Sequence, residues 1–550
     1  MTERQRRLGT LALVAGLAWL VAYPLLLVAL ESVRGPDGFT LAWFQRFARE
    51  PREWQALWGS LWTSVASVVL AALLGVPLAF LFERYDFPGR RLLGALVALP
   101  VVLPPLVGVI AFLFLYGETG FVGRLVQAAL GLADPPWRLE GAWAILLVHA
   151  YSLYVYFYLF TRAGLARLDP AAIEAAHSLG AGRWRTLTRV TLPLLLPSLR
   201  GAALLAFMTA LASFSAPYIF GGGFRVMTTQ IVFTRLNGEY GMAMAQTVVL
   251  SLLALAGLWL ASDRGGDVAA AGKGIAPAAA PIRSPALRLL ATGLGWGLAV
   301  LLLLPHATLV LLSFVPVGTW TIETFPPAYT LANYVALATD PERLRPLGNS
   351  LWMATLATAV AIGVALAAGL LTVRRPRRGA ALIERLLAVP WLVPGTVFAV
   401  ALATAFSVHA PLLGRVVLVG TLWILPMAYV IRNLPIASRA ILAGFRGLDP
   451  ALDEAAASLG AGPRRRLFAL TLPLLRPALA AGATLAFVTA LGDFVTSIIL
   501  YTYDTRPLSL EILASLRQGD VGVSAAYGVF LMLLSGLVFA LGSERKVVAR

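Results

Sequence analysis

The chain of 550 residues has no cysteine, which excludes disulfides and thiolate metal sites and leaves the redox compartment open. Charge is scarce as well, at 13% of residues, too little for a soluble multidomain enzyme of this length. Negative charge is scarcer than positive: 27 acidic residues stand against 44 basic ones, a net charge of +17. The histidines, His149, His177, His306 and His409, are scattered without the spacing of metal ligands. No carboxylate pair and no nucleophile with an adjacent base shares a segment. Neither catalysis on a substrate nor a bound metal is expected.

Apolar residues fill the chain instead, at 59% with a mean hydropathy of +0.80. Windows long enough to cross a bilayer core of about 30 Å fall near 8–30, 61–82, 92–116, 142–161, 198–220 and 242–261, then near 289–312, 351–373, 386–407, 416–436, 478–500 and 522–542. The expected fold is an all-α polytopic membrane protein with about twelve transmembrane helices. The first window follows Arg4, Arg6 and Arg7 and is too long for a signal-peptide core, so it reads as a retained span. Lys and Arg gather at span ends on one side, which puts both termini in the cytoplasm. Excess Arg then serves topology at an anionic inner leaflet, and no nucleic-acid partner is expected.

Residues 262–286 are rich in Ala, Gly and Pro and lack apolar periodicity. They read as a cytoplasmic linker between a first domain at 1–261 and a second at 287–550. Gly272-Lys273 lacks both the upstream Gly and the following Ser or Thr of a phosphate loop, so no ATP site is expected there.

The two domains repeat one another. LDPAAIEAAHSLGAGRWRTLTRVTLPLLLPSLR at 168–200 returns as LDPALDEAAASLGAGPRRRLFALTLPLLRPALA at 448–480, with 21 of 33 positions identical and an offset of 280 (448 − 168). Ser60-Leu61-Trp62 and the prolines Pro100 and Pro104 return as Ser350-Leu351-Trp352, Pro390 and Pro394, at an offset of 290 (350 − 60). The extra residues of the first half are placed in the loop 117–141. An even number of spans per half makes this a parallel repeat, with both polar stretches on the cytoplasmic side. Asp169 suits an N-cap, Pro170 the first helical position and Gly180 a left-handed C-terminal position, and Asp449, Pro450 and Gly460 repeat these signals. A short docking helix is expected in each copy, with Glu174 beside Ala175 and Ala176, and Glu454 beside Ala455 and Ala456.

The pattern Glu-Ala-Ala, three residues, Gly, nine residues, an aliphatic, any residue and Leu-Pro resembles the EAA loop of permease subunits of binding-protein-dependent ABC importers. It is carried by Glu174-Ala175-Ala176, Gly180, Val190 and Leu192-Pro193, and again by Glu454-Ala455-Ala456, Gly460, Leu470 and Leu472-Pro473. Val190 and Leu470 stand where the family usually has Ile. The resemblance implies two type I importer permease domains fused in one chain, similar to ferric-iron uptake permeases. Thiamine, 2-aminoethylphosphonate and polyamine transport are the alternatives of the same machinery. It further implies that each loop is a coupling helix docking on a dimer of ABC ATPase subunits, which bind ATP and Mg while this chain binds no cofactor. An extracytoplasmic substrate-binding protein and membrane lipid are the other implied partners, in a bacterial inner membrane. An ion-driven secondary transporter is the rival from another class, because parallel six-span halves occur there too.

On the substrate side, Leu205 to Leu211 aligns with Leu485 to Leu491, and two residues later Ser213 stands where the second copy has Asp493. An acid inside the hydrocarbon marks a pathway or gate by default, with a helix-packing hydrogen bond as the plainer reading. Arg225 and Gln230 correspond to Arg506 and Glu511; they are expected at the outer gate and receptor surface, or as interfacial anchors. Tyr151, Tyr154 and Tyr158 share one helix face and read as interfacial anchors rather than metal ligands.

Overall fold

A computed structural model describes residues 3–35, 37–261, 280–320, 323–373, 379–407 and 417–543. Most of the linker placed at 262–286, with its Gly272-Lys273, lies outside these residues, as does His409.

In the first half, α1 (Glu3–Leu17) runs through a π-helical turn into α2 (Tyr23–Glu31). There follow α3 (Pro51–Arg84), α4 (Pro105–Tyr116), α5 (Gly141–Leu165), α6 (Pro170–Ser178), α7 (Leu192–Leu211), α8 (Ser215–Phe220), α9 (Met227–Leu236) and α10 (Tyr240–Ala261). The second half comprises α11 (Pro285–Leu312), α12 (Pro341–Thr372), α13 (Ala380–Leu392), α14 (Gly395–Ala405) and α15 (Ile424–Arg446), then α16 (Pro450–Ser458), α17 (Leu472–Leu491), α18 (Val495–Leu500), α19 (Leu508–Arg517) and α20 (Val521–Ser543). The extra residues of the first half include a helix at Phe121–Leu130.

Among the described residues ten helices have the length and apolarity to cross a membrane, or eleven counting α13 and α14, which meet at 109°, as one span. The remaining expected span is α15, which is long enough but carries Arg432, Asn433 and Arg439 among its apolar residues. The windows 198–220 and 478–500 are each broken. α7 ends at Leu211 and α8 starts at Ser215, and α17 and α18 part in the same way between Leu491 and Val495. At both breaks a hydroxyl from the second helix on, α9 or α19, captures the freed carbonyl. Thr228 donates to the Ser213 carbonyl at 2.7 Å, and Ser509 to the Asp493 carbonyl at 2.8 Å. These long-range partners explain why an unbroken apolar run does not make an unbroken helix.

Close packing of small side chains holds the halves together internally. Ala354, Ala357, Ala361, Ala365 and Ala368 form a fully buried stripe on α12, against which α15 packs. In lipid such proximity replaces the hydrophobic drive with dispersion between backbones. The halves also exchange their first spans: α1 and α2 lie on α12, α13 and α14, while α11 lies on α4. Tyr151, Tyr154 and Tyr158 are buried in this region rather than placed at an interface. Their hydroxyls donate to the carbonyls of Leu302, Val97 and Gly94. Helical spacing reveals a shared face but not what that face meets, and here it locks α5 to its neighbours.

Candidate functional site

The duplicated loops are built alike. In each, an aspartate caps a nine-residue helix: the Ala171 N–H donates to Asp169 Oδ1 and the Ala451 N–H to Asp449 Oδ1, both at 2.9 Å. Gly180 and Gly460 both sit at φ +78°, the left-handed conformation that ends a helix and that a side chain would strain. The chain then passes a π-helical turn, at Leu187–Thr191 and Leu467–Thr471. Pro193 and Pro473, just beyond, have no N–H for the usual i−4 bond, and the Leu192 and Leu472 N–H groups reach back to Leu187 and Leu467 instead.

Neither α6 nor α16 buries a single residue. Glu174, Ala175, Glu454 and Ala455 are exposed, Ala176 and Ala456 half-buried. Leu179 and Leu459, next to the two glycines, are 88% and 89% exposed, and Trp184 and Phe468 also stand free. Only the leucines are equivalent, since Trp184 corresponds to Arg464 and Phe468 to Thr188, but each loop leaves a leucine and an aromatic ring exposed among the described residues, which has the character of a docking surface. The copies differ in bracing. Asp453 pairs with Arg466 at 3.0 Å in the second loop, where the first has Ile173 and Thr186.

At the far ends of α7 and α17 the halves meet through aromatic rings. Phe214 and Phe494, equivalent residues at offset 280 (494 − 214), lie 5.7 Å apart between ring centroids. Equivalent residues of a two-fold repeat can touch only across its axis, so this pair marks where the halves meet on that axis. Tyr218 adds to it, stacked on Phe214 at 5.1 Å and edge-on to Phe494 at 6.0 Å. Arg517, from the second half, covers the Tyr218 ring at 5.4 Å and donates to its hydroxyl.

Beside this aromatic contact lie Ser213 and Asp493. Ser213 Oγ contacts His149 Nε2 at 2.9 Å, and His149 Nδ1 contacts Ser67 Oγ at 2.8 Å. Histidine 149, which looked isolated in the sequence, is thus fully engaged. Asp493 caps α18, accepting from the Thr496 N–H at 2.8 Å and the Thr496 hydroxyl at 3.1 Å, and pairs with Arg432 Nε at 3.0 Å. Arg432 was missed by the sequence reading, although it is a lone cation within the window 416–436; averaging over apolar neighbours concealed it. The first half has Ser152 and Ser213 at the positions of this pair.

The remaining candidates form matching short-range pairs. Arg225 Nη1 donates to Gln230 Oε1 at 3.1 Å, and Arg506 Nη1 pairs with Glu511 Oε2 at 3.0 Å. Gln230 also donates to Glu53, which Gln246 contacts too, at 3.0 and 2.8 Å. The structure therefore joins Arg225 with Gln230 and Arg506 with Glu511, and it holds both apart from the loops of α6 and α16. Among the described residues no cluster of His, Asp and Glu could hold a metal.

Residues 71–262 and 359–543 each match the family model for the binding-protein-dependent transport system inner membrane component. The chain belongs to that family. It contains the domain twice, as a fused two-domain ABC permease of the multi-pass membrane type. It is 33% identical over 511 residues to the probable ABC transporter permease protein y4fN of Sinorhizobium fredii, covering 92% of this chain and 89% of that one. It is 29% identical over 455 residues to the ferric transport system permease protein FbpB of Actinobacillus pleuropneumoniae, covering 79% of this chain and 63% of that relative. A 169-residue stretch is 37% identical to the molybdenum transport system permease protein ModB of Escherichia coli, covering 30% of this chain and 72% of the other. An ABC permease leaves no place for the ion-driven secondary transporter.

Proposed function

We propose that the chain is the membrane subunit of an ATP-driven importer that carries ferric iron into the cytoplasm, received from an extracytoplasmic binding protein. The observation that carries this reading is the pair of identically capped, unburied loops. On this reading α6 and α16 each enter a cleft of one subunit of an ATPase dimer on the cytoplasmic face of the bacterial inner membrane. Glu174 and Glu454 supply the charged contact, Ala175, Ala176, Ala455 and Ala456 the close approach, and Gly180 and Gly460 the turn. ATP and Mg are bound by those partner subunits and not by this chain. ATP binding and hydrolysis on that dimer pull the two loops together, and the halves rock between inward and outward openings about the axis marked by Phe214 and Phe494. Arg225 with Gln230 and Arg506 with Glu511 face the binding protein, and both termini lie in the cytoplasm. Iron is supported by the likeness to a ferric permease over 79% of this chain and 63% of that relative.

The combined Glu174→Ala and Glu454→Ala variant should remain in the membrane and lose substrate uptake, with ATP hydrolysis no longer raised by the loaded binding protein. Normal uptake by that variant would remove the coupling role. For the substrate, the soluble receptor of the same system should bind ferric iron in preference to molybdate, thiamine or 2-aminoethylphosphonate, and the opposite preference would overturn the iron assignment.

A further inference from the structure

Arg432 is paired with Asp493, but only part of its guanidinium is used. Nε meets the carboxylate, whereas Nη1 is buried without any hydrogen-bond acceptor. The Arg432 side chain is 28% exposed and that of Asp493 4%, so what openness the pair has belongs to the cation. The guanidinium meets Gly395 with its Nη1 end, in the space that a Cβ there would occupy. Gly395 opens α14 at the sharp bend after α13, and the first bonded N–H of that helix belongs to Val397. One residue on from Gly395, Thr396 is fully buried with its hydroxyl unpartnered. Unused donors thus lie at this bend, Nη1 of Arg432 against Gly395 and, on α14 itself, the Thr396 hydroxyl and the N–H groups of its first turn.

The fold does not require this ion pair. At the equivalent positions the first half has Ser152 and Ser213, on α5 and at the break between α7 and α8, and builds these helices as the second half builds α15, α17 and α18. Burying an ion pair seldom adds stability over a neutral replacement, and leaving a donor of it unsatisfied is a further penalty. A charge retained under those conditions inside a membrane protein points to a ligand. Its place agrees, because Asp493 directly precedes Phe494, which touches its counterpart across the two-fold axis.

Arg432 is also the first of a series. Arg439 and Arg446 follow at intervals of seven residues on α15, which brings each to nearly the same helix face about 10 Å further along. Arg439 is exposed and rests on the Trp391 ring at 4.5 Å, and Arg446 pairs with Glu384 at 2.7 Å. The first half has Ser152, Leu159 and Ala166 in those places, so the arginine series belongs to α15 alone.

We propose that the arginine face of α15 is the substrate track and that its first station, formed by Arg432, Thr396 and the Gly395 bend, binds the oxygens of an oxyanion or carboxylate. A bare ferric ion would be repelled by this face, so iron passes with oxygen-anion ligands attached; a free oxyanion would use the same station. The proposal deepens the importer reading and rests on it only for the direction of movement.

The test uses the full chain, purified in detergent without partners, and follows its thermal unfolding while phosphate, molybdate, citrate or ferric citrate is titrated at constant ionic strength against chloride. A ligand at a hundred times its dissociation constant raises stability by about 2.7 kcal/mol, so a rise of several degrees is expected. A rise with phosphate or molybdate identifies free oxyanions, and a rise with ferric citrate beyond citrate alone identifies the ferric complex. The variant combining Arg432→Ser and Asp493→Ser, which installs the first half's own pair, should unfold near the wild-type midpoint and lose the rise. Arg439→Gln, altering an exposed residue, should weaken the response several-fold in a chain of unchanged stability. No rise with any of these probes, or an undiminished rise in both variants, would overturn the proposal. The importer reading stands or falls separately, since this measurement involves neither ATPase nor binding protein.

Discussion

Phe214 and Phe494 are one position of the repeat seen twice, and their rings meet 5.7 Å apart across the axis that relates the halves. Both are almost fully buried, and on the importer reading they shut the passage at this level. Because the chain has no cysteine, a single introduced thiol reports access without background. Ser213→Cys should react slowly with a membrane-impermeant maleimide, and adding Phe494→Ala should speed the reaction at least tenfold, equivalent to about 1.4 kcal/mol of closure. Phe494→Leu, which keeps most of the bulk, should have little effect. Equal labelling in all three would show that the aromatic pair closes nothing.

The two loop helices should differ in how far they depend on their caps. Losing an N-cap aspartate costs about 1 kcal/mol, and neither α6 nor α16 has buried residues to compensate. The second loop keeps the Asp453–Arg466 pair when its cap is removed. Asp169→Ala should therefore raise amide exchange across 171–178 about fivefold, and Asp449→Ala should change 451–458 less. Asparagine at either position should restore protection. Equal effects in both loops would mean that the ion pair, partly solvated, contributes nothing there.

These helices were legible in the sequence because every signal that makes them is local: aspartate, proline and glycine at fixed spacing, twice. The repeat itself made the two-domain fold legible too. What could not be read depends on distant partners. The breaks after Leu211 and Leu491 follow from hydroxyls of Thr228 and Ser509 that arrive from α9 and α19. Asp493 stood out as a lone acid, but its roles as helix cap and ion-pair partner needed Thr496 and Arg432 in place. Tyrosines 151, 154 and 158 showed the right spacing for a shared face, and only packing against Val97, Gly94 and Leu302 turned that face inward.

His149 bridges Ser67 and Ser213 with one ring nitrogen on each. Ser67→Ala would strand Nδ1 in a fully buried place, a penalty of about 1–3 kcal/mol. The thermal midpoint of the purified chain should fall accordingly, whereas Ser67→Thr should hold it. Because Ser213 adjoins Phe214, the same alanine variant should also quicken labelling of a cysteine at Ser213. A lowered midpoint without faster labelling would confine the bridge to a packing role.

Arg506–Glu511 and Arg225–Gln230 share one geometry with different charge, at 3.0 and 3.1 Å. Glu511→Gln should therefore preserve the contact and lose only its ionic part. With Arg506 and Glu511 31% and 16% exposed, solvent screening leaves that part below about 1 kcal/mol. Arg506→Ala should be the more damaging change, because it leaves the less exposed carboxylate without its cation. Chemical denaturation of the two variants checks this order. If Glu511→Gln proves the worse, the acid contributes through its charge to the frame itself. If the order holds, the frame tolerates a neutral pair on either half, and the negative charge on the second is free to serve a partner. Binding of the cognate receptor should then lose part of its salt dependence in Glu511→Gln while the denaturation midpoint stays nearly constant.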